Sequence, residues 1–245
     1  MSNSPTRLPI EDVIPDIRAH LVRSTALVLV APPGAGKTTR VPLALMDEVW
    51  LAGKKIILLE PRRLAARAAS ERMASTLGES VGERVGLRVR LQSKISARTQ
   101  IEVVTEGVFA RMILDDPELG GIGLVIFDEF HERSLDADFG LALARDAQQG
   151  LREDLRILVM SATLDGARVA RLLGDAPVVE SQGRAFEVET RHASRDPRAR
   201  IEEEVARVIL RALAEETGSI LAFLPGQGEI TRLAALLGER IRPCC

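Results

Sequence analysis

Unbroken apolar runs recur along the first three-quarters of the chain, each closed by glycine, proline or a charged residue. The clearest are 26–31 (ALVLVA), 55–60 (KIILLE), 122–127 (IGLVIF) and 156–161 (RILVMS), with shorter ones at 86–91, 101–105 and 177–180. Between them, apolar residues return every three or four positions, the period of a helix with one buried face. These stretches predict helices over 37–50, 62–77, 106–115, 135–149 and 165–173, and a leading helix over 10–22 that Pro15 makes imperfect.

A strand apolar at every position leaves no face for water. Alternated with helices, such strands predict an α/β domain with a central parallel sheet covered on both sides. Ligands of such sheets bind at the carboxyl ends of the strands. The pattern breaks near 180–183. Beyond it we expect an extended segment at 186–192, a helix over 198–216, a strand at 219–223 and a helix over 229–240. That tail is too short for a second α/β domain of ordinary size. The expected division is a domain at 1–182 and the incomplete beginning of another at 183–245, with no internal repeat or low-complexity tract.

Composition changes this picture little. The 245 residues are 46% hydrophobic and 28% charged, a globular profile with no long disordered stretch. Aromatics are 3% and Tyr is absent, so the core is expected to be Leu, Val, Ile and Ala. Charge is more informative. The formal net charge is −2, yet between Lys54 and Arg98 eleven Lys and Arg stand against four Glu. Two readings fit: one face for an anionic partner, or an arginine-rich helix face turned to solvent. The only cysteines, Cys244 and Cys245, are adjacent and terminal, without zinc spacing or the geometry to staple a core. A reducing, cytoplasmic setting is expected. Residues 1–25 carry charges and prolines throughout, unlike a signal peptide, and no apolar run approaches the ~18 residues of a membrane span.

Residues 31–39 read APPGAGKTT, after a strand and opening a helix. This is the phosphate-binding loop pattern with Ala31 in place of its first Gly. Pro33 leads into Gly34, Ala35 and Gly36, small residues that let backbone N–H groups curl around phosphates. The helix opening at Lys37 points its positive dipole end at the same place. Lys37 would reach the β- and γ-phosphates, and Thr38, followed by Thr39, would help hold Mg2+. The apolar run 122–127 leads into Asp128, Glu129, Phe130 and His131. An acidic pair at the end of a buried strand suits Mg2+: Asp128 to bind it, directly or through water, and Glu129 to orient or deprotonate attacking water. Two carboxylates so close repel, and a bound cation relieves the repulsion.

GKT at 36–38, DEFH at 128–131 and SAT at 161–163 together resemble superfamily-two helicases of the DEAH class, most of all bacterial ones. The resemblance continues in order through EPRR at 60–63, TEG at 105–107 and FLPGQGEI at 223–230, and so spans nearly the whole chain. It implies two RecA-like domains, the second only begun here, with ATP and Mg2+ in the cleft between them and single-stranded RNA across the top. By the same resemblance Arg62, Arg63 and Thr105 would contact RNA phosphates. Ser161 and Thr163 would couple the acidic motif to RNA, with His131 in the relay, and Arg72 would stack on the nucleotide base. No glutamine precedes Gln92, so the adenine-reading glutamine of DEAD-box relatives is missing, and other nucleoside triphosphates should compete with ATP.

The family's motifs V and VI have no counterpart in these residues, nor do its C-terminal accessory domains. Motif VI carries an arginine finger of the kind worth ~10³–10⁵ in phosphoryl transfer. The intact relative is expected to be an RNA-stimulated NTPase and helicase; this chain alone is expected to bind nucleotide weakly and unwind nothing. A non-catalytic module holding nucleotide or RNA is the alternative. DNA stays open as the track, because phosphate contacts do not distinguish it.

Overall fold

The computed structural model describes residues 7–163, 166–183 and 188–241. The chain divides into two compact units, Met1–Ala185 and Phe186–Cys245. Among the described residues, eight strands form one sheet in the first unit: β1 (Ala26–Val30), β2 (Lys55–Glu60), β3 (Val85–Val89), β4 (Gln92–Lys94), β5 (Ile101–Thr105), β6 (Ile122–Phe127), β7 (Arg156–Ser161) and β8 (Val178–Glu180). Their order is β4-β3-β5-β2-β6-β7-β1-β8, parallel throughout except for the β3–β4 hairpin.

Helices α1 (Ile14–Arg23), α2 (Lys37–Leu45) and α3 (Arg63–Thr76) cover one face; α4 (Glu106–Asp115), α5 (Leu135–Gly150) and α6 (Gly166–Leu172) cover the other. Alternate strand residues serve the two faces. Leu27, Leu29, Ile56 and Leu58 join the core of α1–α3, whereas Val28, Val30, Ile57 and Leu59 join that of α4–α6. This is why the strands read as unbroken apolar runs, and each such side chain fully buried contributes about 1.5–3 kcal/mol. The core is not only Leu, Val, Ile and Ala. Phe127 stands edge-on to Phe109 and Phe130, with ring centroids 5.8 and 6.3 Å apart.

Elsewhere the departures from the pattern have local causes. Pro15 lies in the first turn of α1, where its missing N–H costs nothing, so the helix begins at Ile14 and residues Pro9–Asp12 form a separate 3-10 turn. Helix α2 accommodates Pro42 and ends at Leu45, before a separate 3-10 turn at Val49–Leu51, rather than near residue 50. The run at 86–91 turns at Arg90 and Leu91 and returns as β4, whose sequence QSK is too short and polar to announce a strand. Such an edge resists pairing with other chains.

The second unit holds α7 (Ile201–Glu215) and α8 (Gln227–Arg240), packed through Ala206, Ile209 and Leu233. Residues 219–223, expected as a strand, carry no regular structure, and Phe223 is exposed. A strand needs a neighbour for its backbone hydrogen bonds, and no described residue of this unit forms one. Asp165, at the start of the helix expected over 165–173, part of the segment expected at 186–192, and Cys244 and Cys245 lie outside the described residues.

Candidate functional site

The loop after β1 ends in two left-handed glycines, Gly34 (φ 78°) and Gly36 (φ 93°), and α2 starts directly at Lys37. The leading segment props this loop. The Ile10 N–H donates to the Ala35 carbonyl at 3.2 Å. Leu8 and Ile10 lie so close to Gly36 that a Cβ there would stand 2.6 Å from Leu8 Cδ1 and 3.3 Å from Ile10 Cγ2. Pro33 and Gly34 are exposed, and Ala35 and Lys37 are buried. The sequence had suggested no role for Leu8 or Ile10.

Lys37 Nζ donates to Glu129 Oε1 at 2.8 Å, and the Thr38 hydroxyl donates to Asp128 Oδ2. The Asp128 N–H donates to the Leu59 carbonyl at 3.1 Å, so the ends of β6 and β2 lie side by side. That brings in Glu60, the last residue of β2, only 2% exposed and with no hydrogen-bond partner for Oε1. Burial first, and then the charges of Asp128 and Glu129, push its carboxyl well above the ordinary range. Burial raises Asp128 too, against the Thr38 hydrogen bond and the Lys37 charge. Sequence reasoning took Glu60 only as the first letter of EPRR. The signal was there, since it is an acid closing an apolar strand, as Asp128 is. Glu129 itself is left-handed (φ 49°, ψ 33°), a conformation costing about 1–3 kcal/mol and concentrated at functional positions.

His131 Nδ1 accepts from the Ala162 N–H at 3.2 Å and lies 3.4 Å from Glu129 Oε2. The Ser161 hydroxyl is buried and accepts from the Thr163 N–H at 3.3 Å; the Ser161 carbonyl accepts from the Ala31 N–H at 2.9 Å. Thr163 is exposed. Hydrogen bonds therefore join the end of β7 to both the phosphate-type loop and His131.

A cleft of about 500 Å3 is lined by Thr38, Thr39, Glu60, Arg62, Arg72 and Glu129. Arg62 Nη2 also donates to both carboxylate oxygens of Glu132, each at 3.0 Å. A second groove, about 900 Å3, is lined by Arg63, Thr105, Arg88, Arg90 and Arg111 among others. Neighbouring Arg62 and Arg63 thus open on different cavities. The basic stretch is no single helix face: its arginines lie on α3, on β3 and in the segments that flank α3, β3 and β4.

Among the described residues, no group of three or more His, Cys, Asp and Glu could hold a metal by itself. Mg2+ needs no such group, because it binds through one or two carboxylates and fills its octahedron with water and phosphate oxygens. The site offers the Thr38 hydroxyl, the carboxyl groups of Asp128 and Glu129, of which only Glu129 is paired with Lys37, and an orphaned buried oxygen on Glu60. This donor set fits a hard divalent cation.

Residues 11–172 match the DEAD/DEAH box helicase family, and the chain belongs to it. It is 51% identical to the ATP-dependent RNA helicase HrpB of Escherichia coli (strain K12) over 234 residues, 96% of this chain and 29% of that protein. It is 32% identical to "Probable ATP-dependent RNA helicase DHR2" of Saccharomyces cerevisiae over 233 residues, 94% of this chain and 32% of that protein. The crystal structure of the E. coli DEAH/RHA helicase HrpB matches with a TM-score of 0.89 at 51% identity, covering 96% of this chain and 30% of that one. A second, of the E. coli DExH-box NTPase HrpB, matches at 0.76 and 49%, covering 99% and 30%. The fold is therefore the RecA-like helicase fold, and the chain spans under a third of the length of the curated relatives it matches.

Proposed function

We propose that this chain is the nucleotide-binding part of a DEAH-type, ATP-dependent RNA helicase motor. The observation that carries it is the Lys37–Glu129 pair at 2.8 Å, set beside the Thr38–Asp128 hydrogen bond at the mouth of the glycine loop. In this arrangement Lys37 and Glu129 occupy each other. A triphosphate whose β- and γ-oxygens take over Lys37 releases Glu129 to orient and deprotonate water. The N–H groups of residues 34–38 cradle the phosphates, and Arg72 reaches the base from across the cleft. Thr38 and Asp128, with Glu129 beside them, would hold Mg2+, which supplies charge compensation on the phosphates.

RNA is the proposed track, held without base reading by Arg63, Thr105 and the other arginines of the larger groove, with Arg62 at its neighbouring edge. Sensitivity to loss of the 2′-OH separates RNA from DNA. His131 and Ser161, linked through Ala162, would carry the state of that groove to Glu129, and Thr163 would present its exposed side chain to the strand. Residues 1–182 form the first RecA-like domain in this proposal and 183–245 open the second, with the rest of that domain and the C-terminal domains supplied by the full-length protein. A cytoplasmic setting is part of this proposal. Among the described residues, no helix is long and apolar enough to cross a membrane.

The test is ATP and GTP hydrolysis by the purified chain with and without single-stranded RNA. Glu129→Gln should lower any turnover by about 10²–10⁴-fold while sparing nucleotide binding; Lys37→Ala should lose binding. Turnover untouched by Glu129→Gln would rule the assignment out. The second proposal is a non-catalytic module that holds nucleotide or RNA without turnover; RNA-stimulated turnover that Glu129→Gln abolishes rejects it.

A further inference from the structure

Buried polar atoms in folded proteins almost always have a partner, and an unpartnered carboxylate oxygen is costly. In the nucleotide cleft the other two acids are engaged. Asp128 Oδ2 accepts from the Thr38 hydroxyl and Oδ1 from the Glu129 N–H at 2.8 Å, while Glu129 Oε1 accepts from Lys37. Glu60 Oε1 accepts from nothing, although Glu60 is only 2% exposed and lines the same cleft as Thr38 and Glu129. Its place is set by the sheet. The register Leu59↔Phe127 between β2 and β6 ends one residue short of Glu60 and Asp128, so the two carboxylates leave neighbouring strands together. Three carboxyl groups then face one ammonium, an acidic excess that a retained proton relieves in the empty site and that a divalent cation would relieve in its place.

We propose that Glu60 is a metal-positioning residue of this site, accepting hydrogen bonds from the water shell of the divalent cation so that the cation can load before the triphosphate. The proposal rests on the nucleotide-site assignment above and adds to it a residue outside the loop and the acidic pair. Glu60 need not touch the ion. Mg2+ gives up its water reluctantly, and a carboxylate beside that water orients it.

The experiment follows Mn2+, a paramagnetic substitute for Mg2+, binding to the nucleotide-free 245-residue chain by loss of the free-ion resonance signal. One Mn2+ per chain, displaced by Mg2+, is expected, with affinity lowered about 10–100-fold in Glu60→Gln. Glu60→Asp, which keeps the charge but shortens the reach, should fall between. Melting curves serve as a folding control and an independent readout: at the same Mg2+ concentration, Mg2+ should raise the Tm of the natural chain more than that of Glu60→Gln. Undiminished Mn2+ affinity in Glu60→Gln, or no Mn2+ bound without nucleotide, overturns the proposal. Triphosphate binding measured on the same samples separates the two ideas. If the natural chain binds ATP through Lys37 and only the Mn2+ result fails, Glu60 alone has been misassigned. If the natural chain binds no ATP, the nucleotide site falls and this proposal with it.

Discussion

At the scale of single residues, the nucleotide cleft is an electrostatic imbalance held in place by its surroundings. Lys37 and Asp128 are each only 3% exposed and Glu60 2%, so water does little to relieve the crowding of carboxylates. The consequence for pH has a definite sign. Glu60 and Asp128 are raised in the folded protein, so the folded state keeps protons that the unfolded chain has already released. Stability from this site is greatest below the ordinary carboxylate range. It declines as pH rises from there towards the raised values, by at most about 1.4 kcal/mol per pH unit for each proton. In metal-free buffer, Glu60→Gln should therefore be more stable than the natural chain by a margin that widens from pH 5 to pH 8. Melting temperatures across that range test this, and a constant or shrinking margin counts against it.

Among elements, two contacts across the first unit deserve a measurement because each joins segments far apart in sequence. The leading segment packs on Gly36 through Leu8 and Ile10. Gly36→Ala must adopt a left-handed φ and push Leu8 aside; Gly34→Ala meets nothing within 4 Å and has only the φ to bear. Ile10 packs in the core and Leu8 against it, so the clash adds to the backbone strain, and Gly36→Ala should cost about 2–3 kcal/mol and Gly34→Ala about 1 kcal/mol. Chemical denaturation gives both, and equal losses would mean that the leading segment does not brace the loop. The second contact crosses β3, β5 and β2. Glu102 on β5 is buried, with Arg88 Nε at 2.6 Å and Lys55 Nζ at 4.0 Å. The 2.6 Å approach lacks hydrogen-bond alignment, since both atoms remain without a directed partner, and the contact is an ion pair. Arg88 is partly exposed whereas Glu102 is not. Removing the arginine therefore strands a buried charge, but removing the acid leaves a cation that reaches water. Arg88→Met should cost about 1–3 kcal/mol and Glu102→Gln less than about 1 kcal/mol. A reversed order in unfolding experiments would contradict the burial argument.

For the whole molecule, the two units differ in kind. Among the described residues, the first has an eight-stranded sheet with a hydrophobic layer on each face, and the second has two helices on a core of three buried hydrophobic residues. RecA-type motors close two domains on one nucleotide, and the arginine finger of the second is worth ~10³–10⁵. We therefore expect this chain to bind Mg-nucleotide and single-stranded RNA yet to separate no duplex. A strand-displacement assay on the purified chain, beside a full-length relative as positive control, decides it, and unwinding by the chain alone would refute the expectation.

The chain's own pattern determined the sheet. Strands β2, β5, β6 and β7 and helix α4 lie where the apolar periodicity puts them, because a strand buried on both faces leaves no polar position to blur its ends. The phosphate loop and the acidic strand end were equally legible, since each packs its chemistry into a few consecutive residues. Pairing across strands was not. Nothing local to residues 55–60 says that Glu60 sits beside Asp128, nothing in the leading segment says that Leu8 backs Gly36, and adjacent Arg62 and Arg63 reach different cavities only because a helix begins between them. The strand expected at 219–223 failed for the same reason, because a strand is made by its neighbour. Sequence determined what each segment is, through side-chain burial and turn chemistry. Tertiary structure alone decided which strand ends share a cleft, because strand order and register bring together residues that no local pattern connects.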